Sequence, residues 1–215
     1  MNPNQAPNRC RLVLIAPTQS TPERVLSALS SGDVASLILP QGDMDDASFQ
    51  IFAEKIVPAA QEKGIAVIMA GEPRIAARVH ADGIHMEGSK AAVGELIEKH
   101  QAKMMVGTGG VTTRDDVLEL GELQPDYIFF GRFDYDNKPE PHPRNLKLGG
   151  WWSEMVEIPC IVLAGSAIES VVDVAAAGVD FVAVSAAVYG EGIDPAAAVA
   201  RANALLDEQA PQFES

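Results

Sequence analysis

The sequence predicts a single α/β domain, a (β/α)8 TIM barrel. Three observations carry that reading. Short apolar runs alternate with helical stretches through eight units, the runs close repeatedly on small residues, and 215 residues suit a one-domain barrel. The clearest unit spans residues 159–190, PCIVLAGSAIESVVDVAAAGVDFVAVSAAVYG. Apolar runs at 160–164 and 181–184 flank a helical stretch in which Ile168, Val171, Val172 and Ala175 recur at three- and four-residue spacing. The connection is long enough for a parallel crossover, and Gly178 suits the helix stop. Both runs end in small residues, Gly165-Ser166 and Ser185-Ala186, where a ligand can approach backbone N–H groups beside a helix start. Two such turns in succession suit a phosphate site after strands seven and eight; the plainer reading is tight turns.

The remaining elements follow in order. Strands are expected at 11–16, 33–39, 65–70, 82–86, 103–106 and 126–130. Thr21-Pro22 reads as an N-cap followed by proline at the first helical position, opening a helix to about 29. A helix at 46–63 puts Phe49, Phe52, Ala53, Ile56 and Val57 on one face, with Pro58 as a kink or break. Further helices are expected at 73–79, 89–100, 113–120 and around 151–156, the last after a long polar loop from 131 to about 145. An Ala-rich helix from Asp194 closes the chain. Residues 1–10 read as a disordered polar tail, 11–208 as the barrel and 209–215 as a C-terminal tail.

A faint repeat runs through these units. The even strands open with Asp33, Asp82, Asp126 and Asp180, and the odd ones close on small residues. Layered packing by alternate strands predicts such a period, although chance and an open doubly wound sheet also produce it. No glycine-rich nucleotide fingerprint opens the first unit, which favours the barrel.

Net charge is −14, from 30 acidic and 16 basic side chains, which argues against nucleic-acid or anionic-membrane partners. A phosphorylated small molecule remains compatible if a local pocket opposes the global charge. Cys10 and Cys160 lack metal-ligand spacing, and a reduced, cytoplasmic protein fits. No apolar run is long enough to span a membrane. A homodimer is an open expectation for assembly.

Ligand chemistry in a barrel belongs at the C-terminal ends of the strands. There His85 is either an acid or base facing the barrel or a hydrogen-bonded interior histidine. Thr18, Gln41, Asp43, Glu72, Glu87, Thr108 and Asp134 fall at similar strand ends. Gly131, Arg132, Asn137 and Lys138 form a candidate substrate loop, with Arg132 and Lys138 able to clamp an anion. Arg74, Lys90, Arg132 and Lys138 are expected to make this face locally basic.

Three blocks in order, ADGIHMEG (81–88), PDYIFFGRF (125–133) and the stretch 158–189, resemble the thiamine phosphate synthase superfamily, which includes a thiazole tautomerase branch. The resemblance implies a (β/α)8 fold, a thiazole phosphate ligand and Mg²⁺. Gly165, with Val184 and Ser185, matches the family's phosphate-gripping turns, flanked by Ser166 and Ala186, and Lys138 matches its basic loop position. The synthases join a hydroxymethylpyrimidine diphosphate to thiazole phosphate with release of pyrophosphate.

Departures from the pattern bear on the reaction. The Gln-x-Arg-x-Lys that follows strand two in the synthases is replaced by Ile38-Leu39-Pro40-Gln41-Gly42. Their Mg²⁺ ligands correspond to Ala70-Gly71 and about Lys90, which leaves Lys90 as a candidate charge substitute. The tautomerase histidine after strand five has no counterpart in residues 108–112. Three activities therefore stay open. They are a divergent synthase, an isomerase of a phosphorylated heterocycle, and a non-catalytic phosphate-binding barrel.

Overall fold

The computed structural model of the protein describes residues 7–134 and 138–213. Eight parallel strands close into a barrel in sequence order. They are β1 (Arg11–Ile15), β2 (Ser36–Pro40), β3 (Ala66–Ala70), β4 (Gly83–Glu87), β5 (Met105–Gly109), β6 (Tyr127–Phe130), β7 (Cys160–Leu163) and β8 (Phe181–Val184). Closure is by β1 against β8, with Leu14 opposite Val184. The helices are α1 (Pro22–Ala28), α2 (Asp46–Gln61), α3 (Pro73–Arg78), α4 (Lys90–His100), α5 (Arg114–Gly121), α6 (Pro143–Met155), α7 (Ser170–Ala176), α8 (Ala186–Tyr189) and α9 (Pro195–Gln209). Among the described residues no helix is long and apolar enough to cross a membrane.

Strand alternation divides the core in two. Val13, Ile15, Ile38, Ile68, Tyr127, Phe129, Ile161 and Leu163 fill the barrel, while a larger layer between strands and helices includes Leu12, Leu14, Val182 and Val184. α1, α2 and α4 begin as their sequences dictate, with Thr21, Asp45 and Ser89 side chains accepting from the first free N–H groups. α2 runs unbroken through Pro58. The ring frees the carbonyl of Glu54, which is exposed and can turn to water.

Two boundaries differ from expectation. β5 extends through Gly107-Thr108-Gly109 instead of ending at Val106. A Cβ at Gly107 would lie 1.9 Å from Cζ of Tyr127, and one at Gly109 would lie 2.6 Å from the Phe129 carbonyl, so these glycines are strand positions that make room for the Tyr127 ring and the β6 backbone. Thr108 is consequently fully buried, its hydroxyl donating to the Met86 carbonyl at 2.8 Å. α6 begins eight residues earlier than expected, because His142 caps it and Pro143 opens it. Its Gly149 lets the helix lie on Val162.

The aspartate repeat becomes a structural rung in three of its four members. Asp82, Asp126 and Asp180 stand opposite Val67, Val106 and Cys160, and each carboxylate accepts that residue's N–H, at 2.7, 2.7 and 2.9 Å. Gln61 and Gln101, at the ends of α2 and α4, brace Asp82 and Asp126. Asp33 is the exception. Ala35 fills the equivalent register position, and Asp33 instead forms a two-pronged pair with Arg11 at 2.8 and 2.9 Å. The chain ends also meet. Arg9, 2% exposed, binds Asp207 and Asn203, and Asn8 bonds Phe213 across a bridge from Arg9 to Gln212.

Asp126→Ala strands the buried Val106 N–H and should cost about 1–3 kcal/mol in urea unfolding, with Asp126→Asn recovering much of it. Burial, then the Asp180 carboxylate, pushes the Cys10 thiol up to about 12; burial first also raises Cys160. A raised pKa withholds the thiolate. Neither cysteine should therefore react with a thiol reagent at pH 8 until urea unfolds the protein.

Candidate active site at the barrel mouth

β4 alternation turns His85 inward, and β6 alternation brings Tyr127 and Phe129 against it. His85 is 3% exposed. Its Nδ1 lies 2.9 Å from the Tyr127 hydroxyl, with the two rings near parallel at 18°. Phe129 and Phe133 meet it edge-on, with centroids 5.8 and 5.1 Å away. Its Nε2 is buried without a hydrogen-bond partner, and Glu87 Oε1 stands 3.8 Å off.

Two cavities open at this end. One of about 250 Å³ lies between Pro17, Arg132, Leu163, Ser185, Ala186 and Tyr189. The other, about 300 Å³, lies between Pro40, Gly71, His85, Met86 and Glu87. Phe133 and Asp134 form a wall common to both. Asp134 has a left-handed backbone, φ 53°, and accepts a long 3.4 Å bond from the Thr18 hydroxyl. Tyr189 supplies a second orphaned atom, for its buried hydroxyl has no partner and faces burial that raises its pKa well above the ordinary range. The two residues that hold buried, unpartnered side-chain polar atoms among the described residues therefore line one cavity each.

The residues singled out by sequence separate here. His85, Ser185, Ala186 and Arg132 line the mouth. Gly131 gives space to the Phe129 ring, and Val184 packs its side chain into the outer layer. Lys138 is exposed, and its main-chain carbonyl accepts the Ser166 N–H at 2.7 Å. Gly165 N–H donates to Ser170 Oγ at 2.9 Å, and Ala167 N–H to the Pro139 carbonyl at 3.2 Å. A Cβ on Gly165 would stand 2.0 Å from that carbonyl, so the glycine admits the loop backbone here. Asn137 lies outside the described residues.

The expected basic face is weaker than the sequence suggested. Arg74 pairs with Asp46, and Lys90 pairs with Glu122 at 2.6 Å, neither lining a mouth cavity. The hydrogen bond to Glu122, ahead of its charge, holds the Lys90 ammonium above its ordinary pKa. Gln41 is a strut that bonds Met44, Asp46 and the Glu72 N–H. Gly71 is small because Gln41 and Phe49 fill the space a Cβ would need. The positions implied for Mg²⁺ do not supply the carboxylates that ion needs, since Gly71 has no side-chain oxygen and Lys90 is a paired ammonium. Among the described residues no three His, Cys, Asp or Glu side chains gather in a metal-holding group.

Comparison with known proteins gives the family. The thiamine monophosphate synthase model matches residues 12–188. The chain belongs to that family. It is 32% identical over 202 residues to the thiamine-phosphate synthase of Rhodospirillum centenum, covering 92% of this chain and 98% of that one. With the Hyphomonas neptunium thiamine-phosphate synthase identity is 30% over 212 residues, covering 94% and 96%. The thiamine phosphate pyrophosphorylase structure from Pyrococcus furiosus superposes with a TM-score of 0.79 at 20% identity, over 94% of this chain and 97% of that one. At that identity the superposition speaks for the fold. This family's barrel here carries Phe133 and Tyr189 at the mouth and Tyr127 in the interior against His85, none of which sequence reasoning singled out. The signal for Tyr127 was its alternation with Ile128 opposite an in-strand glycine.

Arg24 is a further support of the mouth. One guanidinium nitrogen donates to the carbonyls of Tyr189, Gly190 and Ile193 at 3.1, 2.9 and 3.2 Å, closing the end of α8. Arg24→Gln should speed amide hydrogen exchange across 185–193 while leaving β1–β4 unchanged.

Proposed function

We propose that this chain is a two-substrate transferase of the thiamine phosphate-forming kind. It would bind a thiazole phosphate in the first cavity and the aminopyrimidine ring of its diphosphate partner in the second. The observation that carries this reading is the pair of orphaned buried atoms, Tyr189 Oη and His85 Nε2, on residues that each line one of two cavities sharing the Phe133–Asp134 wall. Buried polar atoms without partners mark places where a ligand or water completes the set. Adjacent cavities suit a condensation better than an isomerisation of one substrate.

In this reading the phosphate sits by Ser185 and Ala186 at the start of the short helix α8, where barrels often hold phosphate. Arg132 and the protonated Tyr189 hydroxyl donate to its oxygens. The thiazole nitrogen attacks the methylene of the pyrimidine diphosphate. A C–N bond forms as the C–O bond breaks, and the electron pair leaves on pyrophosphate. The cationic loop side chains Arg132 and Lys138 face the developing charge. The arginine and lysine that follow strand two in the synthases are absent here, so that charge is incompletely neutralised.

Purified protein should therefore form thiamine phosphate slowly, below the ~1 s⁻¹ low end of ordinary turnover. Quantifying product by fluorescence after oxidation, with Mg²⁺ varied, is the test. Ser185→Asp should abolish thiazole phosphate binding by calorimetry, and Tyr189→Phe should weaken it by about 1–3 kcal/mol. No product at any Mg²⁺ concentration, with thiazole phosphate still bound, would overturn the transferase reading in favour of the isomerase or the binding barrel. Unchanged affinity in Ser185→Asp would remove the phosphate site.

A further inference from the structure

The contact between Tyr127 and His85 determines where the imidazole keeps its proton. Oη and Nδ1 are 2.9 Å apart, and either atom can be the donor. If Nδ1–H donates to the tyrosine oxygen, the tyrosine proton has no acceptor among the hydrogen bonds of the described residues. Nε2 then also turns a bare lone pair toward the Glu87 carboxylate, 3.8 Å away. A doubly protonated ring strands the tyrosine proton in the same way. If Tyr127 O–H donates to Nδ1, a single group is left over, the Nε2–H, and it faces both a carboxylate and a cavity. Counting unsatisfied groups and the sign of the Glu87 charge select the same arrangement.

We propose that Tyr127 is a positioning residue whose hydroxyl donates to Nδ1 of His85, fixing the imidazole as its Nε2–H tautomer and presenting that proton to the second cavity. Three further features keep the pair in place. Gly107 leaves the space that the tyrosine ring occupies, since a Cβ there would lie 1.9 Å from Cζ. Phe129 and Phe133 flank the imidazole and block its rotation. Burial raises the tyrosine pKa far above its ordinary value, so the hydroxyl keeps its proton to donate. A ligand in the second cavity then meets a donor at Nε2 and an acceptor at Glu87. Toward it Nε2 of His85 is a hydrogen-bond donor and not a base. What that donor serves rests on the transferase reading; the tautomer itself does not.

Long-range ¹H–¹⁵N correlation spectra of the ligand-free, ¹⁵N-labelled protein test this directly, with His85 assigned by the signal lost in His85→Gln. The wild type should show a pyridine-like Nδ1 and a pyrrole-like Nε2. Tyr127→Phe, which keeps the ring and removes the donor, should move Nδ1 toward the pyrrole-like position at nearly unchanged melting temperature. In the thiamine phosphate assay it should lower kcat more than it raises KM. A wild-type spectrum with the proton on Nδ1 would overturn the proposal, as would a Tyr127→Phe spectrum identical to wild type. Should that variant not fold, the wild-type spectrum alone decides. The expected tautomer without any thiamine phosphate formed would sink the transferase reading and leave this assignment standing.

Discussion

Interior volume between β5 and β6 is the constraint on which the mouth depends. A closed eight-stranded barrel leaves room for side chains in layers and little more. On β6 two large rings, Tyr127 and Phe129, point inward, and β5 answers with Gly107, which gives the Tyr127 ring its space, and Gly109, which admits the Phe129 backbone. The exchange moves aromatic mass across the axis toward β4, where it meets His85. From that displacement come the imidazole's burial, its hydrogen bond to Tyr127 and its fixed orientation. A larger residue at 107 would push the ring away and leave His85 with two unmet nitrogens instead of one.

The opposite end of the barrel is held by different means. Asp82, Asp126 and Asp180 each tie the start of an even strand to the backbone of the odd strand before it. The left-handed residues His80, Gln124 and Gly178 stand two positions before these aspartates and turn the chain into the rung. At β8 the same residue also ties in β1, since the main-chain carbonyl of Asp180 accepts the Arg11 N–H at 3.1 Å. Stability and ligand chemistry thus use separate ends of the strands, which lets the mouth keep unpartnered atoms without loosening the barrel.

Much of this was legible in the sequence because it follows from period and punctuation. The strand–helix alternation, the cap at Thr21 and the aspartate spacing all depend on local chemistry. What was not legible depends on partners distant in sequence. The pattern around Gly107 reads as a turn until Tyr127, twenty residues on, is known to fill the space. Asp33 reads as a fourth rung until the register puts Ala35 in its place. Lys90 and Arg74 read as mouth cations until Glu122 and Asp46 are found beside them. In the same way His85 was visible as a candidate, whereas Tyr127, which holds it, was not.

The fate of those cations bears on how an acidic chain handles phosphate. With Arg74 and Lys90 drawn into exposed pairs, they add little to the potential at the mouth, because such pairs are screened and largely cancel at a distance. Glu87 then adds negative charge to the second cavity, Asp134 to the wall both share, and Arg132 lines the first. In the proposed reading neutral donors carry more of the anion's recognition in the first cavity, and the buried Tyr189 hydroxyl would meet that need without the desolvation cost of another cation. The second cavity faces the reverse problem. Its carboxylates oppose a diphosphate but favour ligand groups that donate, so the half of the mouth nearest His85 is built for hydrogen-bonding contacts rather than for charge neutralisation. The division of labour across the Phe133–Asp134 wall is therefore electrostatic as well as spatial.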